Sequence, residues 1–394
     1  MTALRVNEDN ALPDSHGNTV ALVRLLAEIG PDIAEISRRL GQYKESVRYR
    51  YKEKIVNNGF AIKATPNYGA LGLKRVVMRV RVADTYREIS QQIFAAMSDF
   101  SYVVAFAGTV PDNSHLLHAA LPFQFDREFR EMMSILKDKG IFDSVELFDC
   151  DRFRVAPMRA ECFDFEHGVW DFDWSKPLSL DGEAARTGIW NESEFDKTDL
   201  LIVKELSKDG RQSIKEIQES IRRINGVDIN YKTLVWHFKN HVSRRQLING
   251  YAIGWHGVKY DFDADKKNLR PHGYLPIALI VKGISDQERM TLMGTLNRVP
   301  FLWSEASGRD YYAQFAFPVE NTNEALEYLG RVVRPFGSRA ACHVLNQKDM
   351  LSFTIGHNLW DSVNSRWTFE PQGIVDRFDA LLVKLREMGS SRTD

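Results

Sequence analysis

Between Lys44 and Lys52 the chain gathers Lys44, Ser46, Arg48, Tyr49, Arg50 and Lys52, all side chains that can touch a polyanion. Val47, Tyr51 and Ile55 recur at helical spacing and should face a core at about 100° per residue. Ser46, Tyr49, Arg50 and Glu53 then point outward, flanked by Arg48 and Lys52. Hydroxyl, phenol and guanidinium groups on one outward face can hydrogen-bond base edges, and the cations can meet phosphates. The same chemistry recurs later, where Leu234, Phe238 and Val242 take the inner face. Lys232, Thr233, Trp236, His237 and Lys239 are left for groove and phosphate contact, with Asn240 beside them. Contact with double-stranded DNA is the expectation at both places; the bland alternative is a pair of helices used for protein contacts.

No second chemistry competes in the sequence. Neither an HxxxH nor an HExxH pair is read among the ten histidines, and Cys150, Cys162 and Cys342 are odd in number and lack CxxC spacing. No metal site, cofactor, disulfide framework or catalytic residue is expected. His167 and His357, each near a tryptophan, read as packing histidines. Gly108 and Gly308 read as tight turns with positive φ.

The elements that must hold these residues come in a repeating order. Residues 1–18 are polar and rich in breakers, and are expected to be disordered. Val20 to Ile29 opens a three-helix unit, Ile33 to Leu40 follows, Gly41-Gln42 interrupts, and Tyr43 to Ile55 resumes helical spacing. Asn58-Gly59 stops the last helix, and Phe60 to Lys63 reads as the first strand of a wing. Then come a strand from Val76, a helix from Thr85, strands Tyr102 to Ala107 and His115 to Leu121, a helix Arg127 to Lys137 and a strand Ser144 to Val155, which is βαββαβ. The series restarts near Phe195. The expected boundaries are a winged helix at 19–66, a βαββαβ unit at 67–157, an acidic Trp-containing linker at 158–195, a second winged helix at 196–256, a second βαββαβ unit at 257–347 and an extension at 348–394 closing on an amphipathic helix. A polar insertion is expected from Asp261 to Gly273, and His167-Gly-Val-Trp170-Asp171 is echoed by His357-Asn-Leu-Trp360-Asp361.

Charge follows the same division. The net charge of −1 conceals nine Lys/Arg against five Asp/Glu over 20–65 and eleven against seven over 196–253, with three against nine over 158–194. Two basic modules are joined by an acidic segment. No apolar run reaches membrane-spanning length and residues 1–18 lack a signal-peptide core, so a cytoplasmic chain without membrane contact is expected.

Asn58-Gly-Phe-Ala-Ile62 leading through Leu71-Gly72-Leu73, Phe195-Asp-Lys-Thr-Asp199, and Gly308-Arg-Asp-Tyr-Tyr312, in this order within a doubled frame, resemble the Lrp/AsnC (feast/famine) transcription regulators. The resemblance implies an α+β fold of two repeats, each a winged helix-turn-helix followed by a ferredoxin-like (RAM-like) sandwich. It also implies a sequence-specific DNA-binding regulator working as an intramolecular pseudo-dimer, with further homo-oligomers open to it. In that family the loop matched by Gly308 and Asp310 lines an effector pocket, which implies a small-molecule effector such as an amino acid. Siroheme decarboxylases share the architecture but carry a His-Asn-Tyr-x-Arg stretch; here the matching places read Val104-Ala-Phe-Ala-Gly-Thr and Ser304-Glu-Ala-Ser-Gly-Arg. The expectation is therefore a regulator and not an enzyme, with that decarboxylase and a protein-interaction scaffold as alternatives.

Overall fold

The computed structural model describes residues 15–175, 193–255 and 273–390. The Asp261–Gly273 insertion, apart from its last residue, and Trp190 of the linker lie outside them. Helix α1 is Ser15–Ile29, so the N-terminal segment is ordered from Ser15 onward, earlier than its polar composition suggests. Its turns bury Thr19, Val20, Leu22, Val23 and Leu26, and this packing outweighs the weak helix propensity of Ser15 to Asn18.

Helix α2 (Ile33–Leu40) starts on Asp32, whose carboxylate accepts from Glu35 N–H, and ends on Gly41 at φ 63°. Helix α3 (Lys44–Arg50) continues through a π-helical turn, Tyr51–Val56. Strand β1 (Phe60–Pro66) then leaves the unit. In the second repeat α6 (Lys197–Lys208), α7 (Ile214–Asn225) and α8 (Tyr231–His237, prolonged by Phe238–Ser243) lead to β9 (Ile248–Trp255). Capping boxes Asp196/Asp199 and Ser213/Glu216 start α6 and α7.

The strands expected to open two separate wings instead pair with each other, β1 antiparallel to β9 with Ile62 opposite Ile253. Each first helix packs on the other repeat's strand, α1 on β9 and α6 on β1. The two helix-turn-helix units are thereby joined across the repeats.

The sandwiches follow the expected order. β2 (Leu73–Val82), α4 (Ser90–Phe100), β3 (Val103–Val110), β4 (His115–Pro122), α5 (Asp126–Asp138) and β5 (Phe142–Phe148) form the first. β10 (Tyr274–Val281), α9 (Asp286–Leu296), β11 (Leu302–Gly308), β12 (Tyr311–Pro318), α10 (Thr322–Val333) and β13 (Ala340–Ser352) form the second. The sheet order is β5-β2-β4-β3-β13-β10-β12-β11-β6, two ferredoxin-like sheets joined edge to edge. What joins them is strand exchange. β5 bends at Asp149 into β6 (Cys150–Val155), which pairs with β11 of the other repeat; β13 pairs with β10 through Val344 and then with β3 as far as Ser352. The faces left free of helices meet across a shared core of Val77, Leu116, Phe148, Ala278, Ile280, Tyr312 and Leu345. His118 Nε2 reaches Tyr312 Oη at 3.0 Å within it.

After each sandwich comes a short hairpin, β7–β8 (Phe163–Asp164, Val169–Trp170) and β14–β15 (Trp360–Asp361, Arg366–Trp367). Their registers pair Phe163 with Trp170 and Trp360 with Trp367, so Trp170 matches Trp367 and not Trp360. The His-x-x-Trp-Asp echo is therefore out of structural step. Asp164 Oδ1 takes the backbone N–H groups of Glu166 and His167 while Asp361 Oδ1 takes those of Val363 and Asn364, the same turn at the corrected offset. Phe163 packs on Phe60 of the first helix-turn-helix, and Trp360 on Phe195 beside the second. Trp174, beyond the first hairpin, stacks on Phe301 of the second sandwich. Helix α11 (Pro371–Ser390) buries Ile374, Val375, Phe378 and Leu382 and closes on α5, with Lys139 Nζ 2.6 Å from Asp379 Oδ2.

Candidate nucleic-acid interface

Helices α3 and α8 expose most of the side chains that sequence spacing assigned to them. Val47 and Leu234 are fully buried, which fixes the opposite faces outward. On α3 and its extension Lys44, Arg48, Tyr49 and Lys52 are exposed and Ser46 is half-buried, with Tyr43 joining at the N-cap. Arg48 Nη1 lies 2.8 Å from Glu45 Oε1, a solvent-exposed pair that holds the guanidinium only weakly. On α8 Tyr231, Lys232, Thr233 and Trp236 are exposed, as is Lys239 beyond it. Trp236 is 52% exposed and leans on the rings of His237 and His241, at centroid distances of 5.0 and 4.7 Å.

Two assigned contacts change role. Arg50 is turned back to Gln42, with Nη1 donating to Oε1 at 2.8 Å, and burial lowers its pKa. His237 is not on the outer face at all. It is 8% exposed, with Nδ1 2.9 Å from Asp199 Oδ1, and His241 Nδ1 lies 2.8 Å from Asp199 Oδ2. Helix α6 packs on the α8 side that carries positions 237 and 241, whereas a two-face reading leaves that side to solvent. The signal for this inner pair is the spacing His237-x-x-x-His241, one turn of helix, an HxxxH pair that corrects the expectation of none.

The Gly308–Asp310 turn also does something other than expected. Neither Gly108 nor Gly308 has positive φ. Gly308 is required by close approach, since a Cβ there would stand 2.5 Å from Asp149 O and 3.0 Å from Asp151 N. Asp310 accepts from Gly283 N–H on Oδ1 and from Asp149 N–H on Oδ2, both at 2.9 Å, so its carboxylate ties the exchanged strand down instead of reaching a ligand. His167 is exposed, with Nδ1 2.7 Å from Asp164 Oδ2, and does not pack. His357 is half-buried against Asn225, and burial lowers its pKa to about 4.

A cavity of about 170 Å³ lies where the β1–β9 ribbon meets the exchanged strand β6. Its lining includes Thr65, Tyr68, Arg75, Arg152, Arg154 and Tyr251. Arg75 lies over the rings of Phe153 and Tyr68, 4.4 and 5.0 Å from their centroids. Arg75 Nε and Arg154 Nη2 are buried without a hydrogen-bond partner. Arg154 is paired with Glu305, so Arg75 and Arg152 against Asp151 leave the space weakly cationic, a feature that spacing along the chain could not assemble because β6 and the ribbon meet only in three dimensions. Among the described residues no helix is long and apolar enough to cross a membrane.

No protein-family profile and no curated protein matches the chain. Among solved structures the fold is similar to that of the siroheme decarboxylase NirDL, with a TM-score of 0.50 and 9% identity, covering 94% of this chain and 99% of that one. NirDL in co-complex with an iron-uroporphyrin III analogue aligns over 86% of this chain and 93% of that one, at 9% identity and a TM-score of 0.47. The likeness shows a shared α+β architecture of helix-turn-helix units and ferredoxin-like sandwiches, and nothing finer.

Proposed function

We propose that the chain is a double-stranded-DNA-binding regulator of the Lrp/AsnC kind, fused into an intramolecular pseudo-dimer. The observation that carries this reading is the pair of outward faces on α3 and α8, basic and aromatic, held by one β1–β9 ribbon. A ribbon shared by both helix-turn-helix units fixes their separation, as binding two half-sites requires. The faces differ, Lys44, Arg48, Tyr49 and Lys52 against Lys232, Thr233, Trp236 and Lys239, so one chain should prefer two unlike half-sites over a palindrome. The arginine-lined cavity under the ribbon suits a small anionic effector. At about 170 Å³ it is well below the roughly 300 Å³ at which pockets for drug-sized ligands begin, which matches a molecule of amino-acid size.

The likeness to NirDL favours a second reading over the first, a tetrapyrrole-handling chain on the same architecture. The cavity under the ribbon does not suit a tetrapyrrole, being small and lined by guanidinium and aromatic groups without imidazole, whereas an open cleft of about 410 Å³ beside the β7–β8 hairpin is lined by His16 and Lys54.

The test is binding of the full chain to random duplex, followed by fluorescence anisotropy between 50 and 200 mM salt. If Lys44, Arg48, Lys52, Lys232 and Lys239 each meet a phosphate, log K should fall with log salt at a slope near −4.5, about a 500-fold loss over that range. Arg48→Ala with Lys52→Ala should flatten the slope by about two. Weak binding without a salt slope, together with siroheme whose Soret band shifts and which co-elutes with the chain in gel filtration, would replace the first reading by the second.

A further inference from the structure

We propose that Asp196, Asp199, His237 and His241 form a binding site for a divalent transition-metal ion of the zinc class, between the first and last helices of the second helix-turn-helix. Asp196 and Asp199 open α6, one as N-cap and one in its first turn; His237 ends α8 and His241 lies one turn on. Each contributes one ligand atom, and the four atoms lie within 4.8 Å of one another. Two imidazole nitrogens with carboxylate oxygens are a donor set suited to zinc, which takes four ligands at about 2.0–2.2 Å, and less to calcium or magnesium, which prefer oxygen alone.

The alternative is a hydrogen-bonded cluster with no ion, and the arrangement holds more than that alternative uses. The capping box that starts α6 uses Asp196 Oδ1, which accepts from Thr198 N–H and Asp199 N–H at 2.8 and 3.1 Å, and Asp199 Oδ2, which accepts from Asp196 N–H, but it needs neither imidazole. Asp199 is fully buried, yet it turns its two oxygens to two different imidazoles, at 2.9 and 2.8 Å. Both rings present the same nitrogen, Nδ1, to one point, and Asp196 Oδ1 stands 3.7 Å from His237 Nδ1. Ligand atoms about a tetrahedral zinc are about 3.3 Å apart. An ion would therefore open the two hydrogen bonds by about half an ångström while drawing in Asp196, whose side chain is 51% exposed and marks the way in. Asp196 N–H donates to Asp199 Oδ2 at 2.9 Å, and Trp236 covers both imidazoles, which supplies the outer support a metal ligand needs. The ion would pin α8 to α6, and the site stands whether or not α8 meets DNA.

The experiment uses the full chain stripped with a chelator and dialysed, titrated with Zn²⁺ in equilibrium dialysis and with Co²⁺ by visible absorption. One Zn²⁺ per chain is expected, with a tetrahedral nitrogen-oxygen Co²⁺ spectrum, and affinity about 100-fold weaker or worse in His237→Gln and in His241→Gln. Circular dichroism checks that each variant folds. Should a variant fail to fold, the wild-type Co²⁺ spectrum decides: thiolate charge-transfer bands would put the ion on a cysteine and overturn the assignment. Absence of stoichiometric Zn²⁺ binding, or binding unchanged in both folded variants, would overturn it equally.

Discussion

Replacing Arg154 with Met tests the strand exchange at its most sensitive point. Arg154 lies on β6, at the end of the first repeat, and its Nε donates to Glu305 on β11 of the second. The Glu305 side chain is 2% exposed and the Arg154 side chain 14%. Tyr311 Oη donates to the other carboxylate oxygen at 2.5 Å, and burial, followed by that carboxylate, pushes the Tyr311 pKa well up. Arg154→Met leaves a buried carboxylate with a single neutral donor. Breaking such a pair from one side costs roughly 3 to 5 kcal/mol. Glu305→Leu should cost less, because Arg154 lines the cavity and can turn to water there, though Tyr311 then loses its acceptor, at about 1 to 3 kcal/mol. Combining Arg154→Met, Glu305→Leu and Tyr311→Phe should recover most of the loss, within about 1 kcal/mol of the unaltered chain. Chemical denaturation followed by tryptophan fluorescence measures all three. A cost below about 1 kcal/mol for Arg154→Met would mean that Glu305 is not sealed against β6, and the pairing of β6 with β11 would be wrong.

Three further outcomes follow from the same geometry. Gly308→Ala forces a methyl group to within 2.5 Å of Asp149 O, and should destabilise by about 1 to 3 kcal/mol in the same assay; a neutral result would show that the β5–β6 bend is free to move. Burial holds His115 at a pKa of about 4 against an ordinary 6.5, so the unfolded chain takes up its proton first as the pH falls. This contribution is complete above pH 6.5 and is lost between 6.5 and about 4, at no more than about 1.4 kcal/mol per pH unit. His115→Gln should flatten the stability-against-pH curve in that window, and an unchanged curve would refute a buried neutral His115. Finally, a protease site placed between residues 183 and 184 and then cut should leave the halves co-eluting in size exclusion, since β6 and β13 each end on the other repeat; halves that separate without denaturant would contradict the shared sheet.

The repeat frame was legible because two periodicities are strong in this chain. Val47, Tyr51 and Ile55 at helical spacing, and the runs of β3 and β12, mostly apolar on both faces, are enough by their residue types alone to identify a helix and two buried strands. The partners of those elements were not legible. Ser144 to Val155 reads as one strand, and nothing in it says that residues after Asp149 pair with a different sheet, because a strand's alternation records which faces are buried and not which neighbour buries them. The same holds for β1, which reads as half a wing although its partner is β9, nearly 190 residues on. Asp310 and Gly308 looked like loop residues for a ligand since their work is long-range, 157 to 161 positions away at Asp149 and Asp151. At the interface, Lys44, Arg48, Tyr49, Lys52, Lys232, Thr233, Trp236 and Lys239 lie exposed on their helices, Ser46 is half-buried, and Arg50 and His237 turn inward. The two that turn are flanked on more than one side by packed elements, which a two-face helix pattern does not represent.

Fusion of the two halves has a consequence that a symmetric dimer could not reach. Aligning α3 with α8 by their buried residues Val47 and Leu234 puts Arg50 where the second repeat has His237 and Lys54 where it has His241. Gly30 and Gly210 each close the first helix of their unit, and counting back eleven residues from them gives Thr19 and Asp199. The first unit thus carries Thr19, Arg50 and Lys54 at three positions where the second carries Asp199, His237 and His241, and Arg50 is spent on Gln42 while Lys54 lies 3.6 Å from Glu166 of the β7–β8 hairpin. Two cations in place of two imidazoles would repel a metal ion. A homodimer would have to carry either arrangement twice; one chain can carry each once. The helix-turn-helix with exposed Lys44, Arg48 and Lys52 stays cationic at these positions, while in the other Asp199 ties α8 to α6 through His237 and His241. Because β1 and β9 form a single ribbon, the two unlike units are carried on one scaffold.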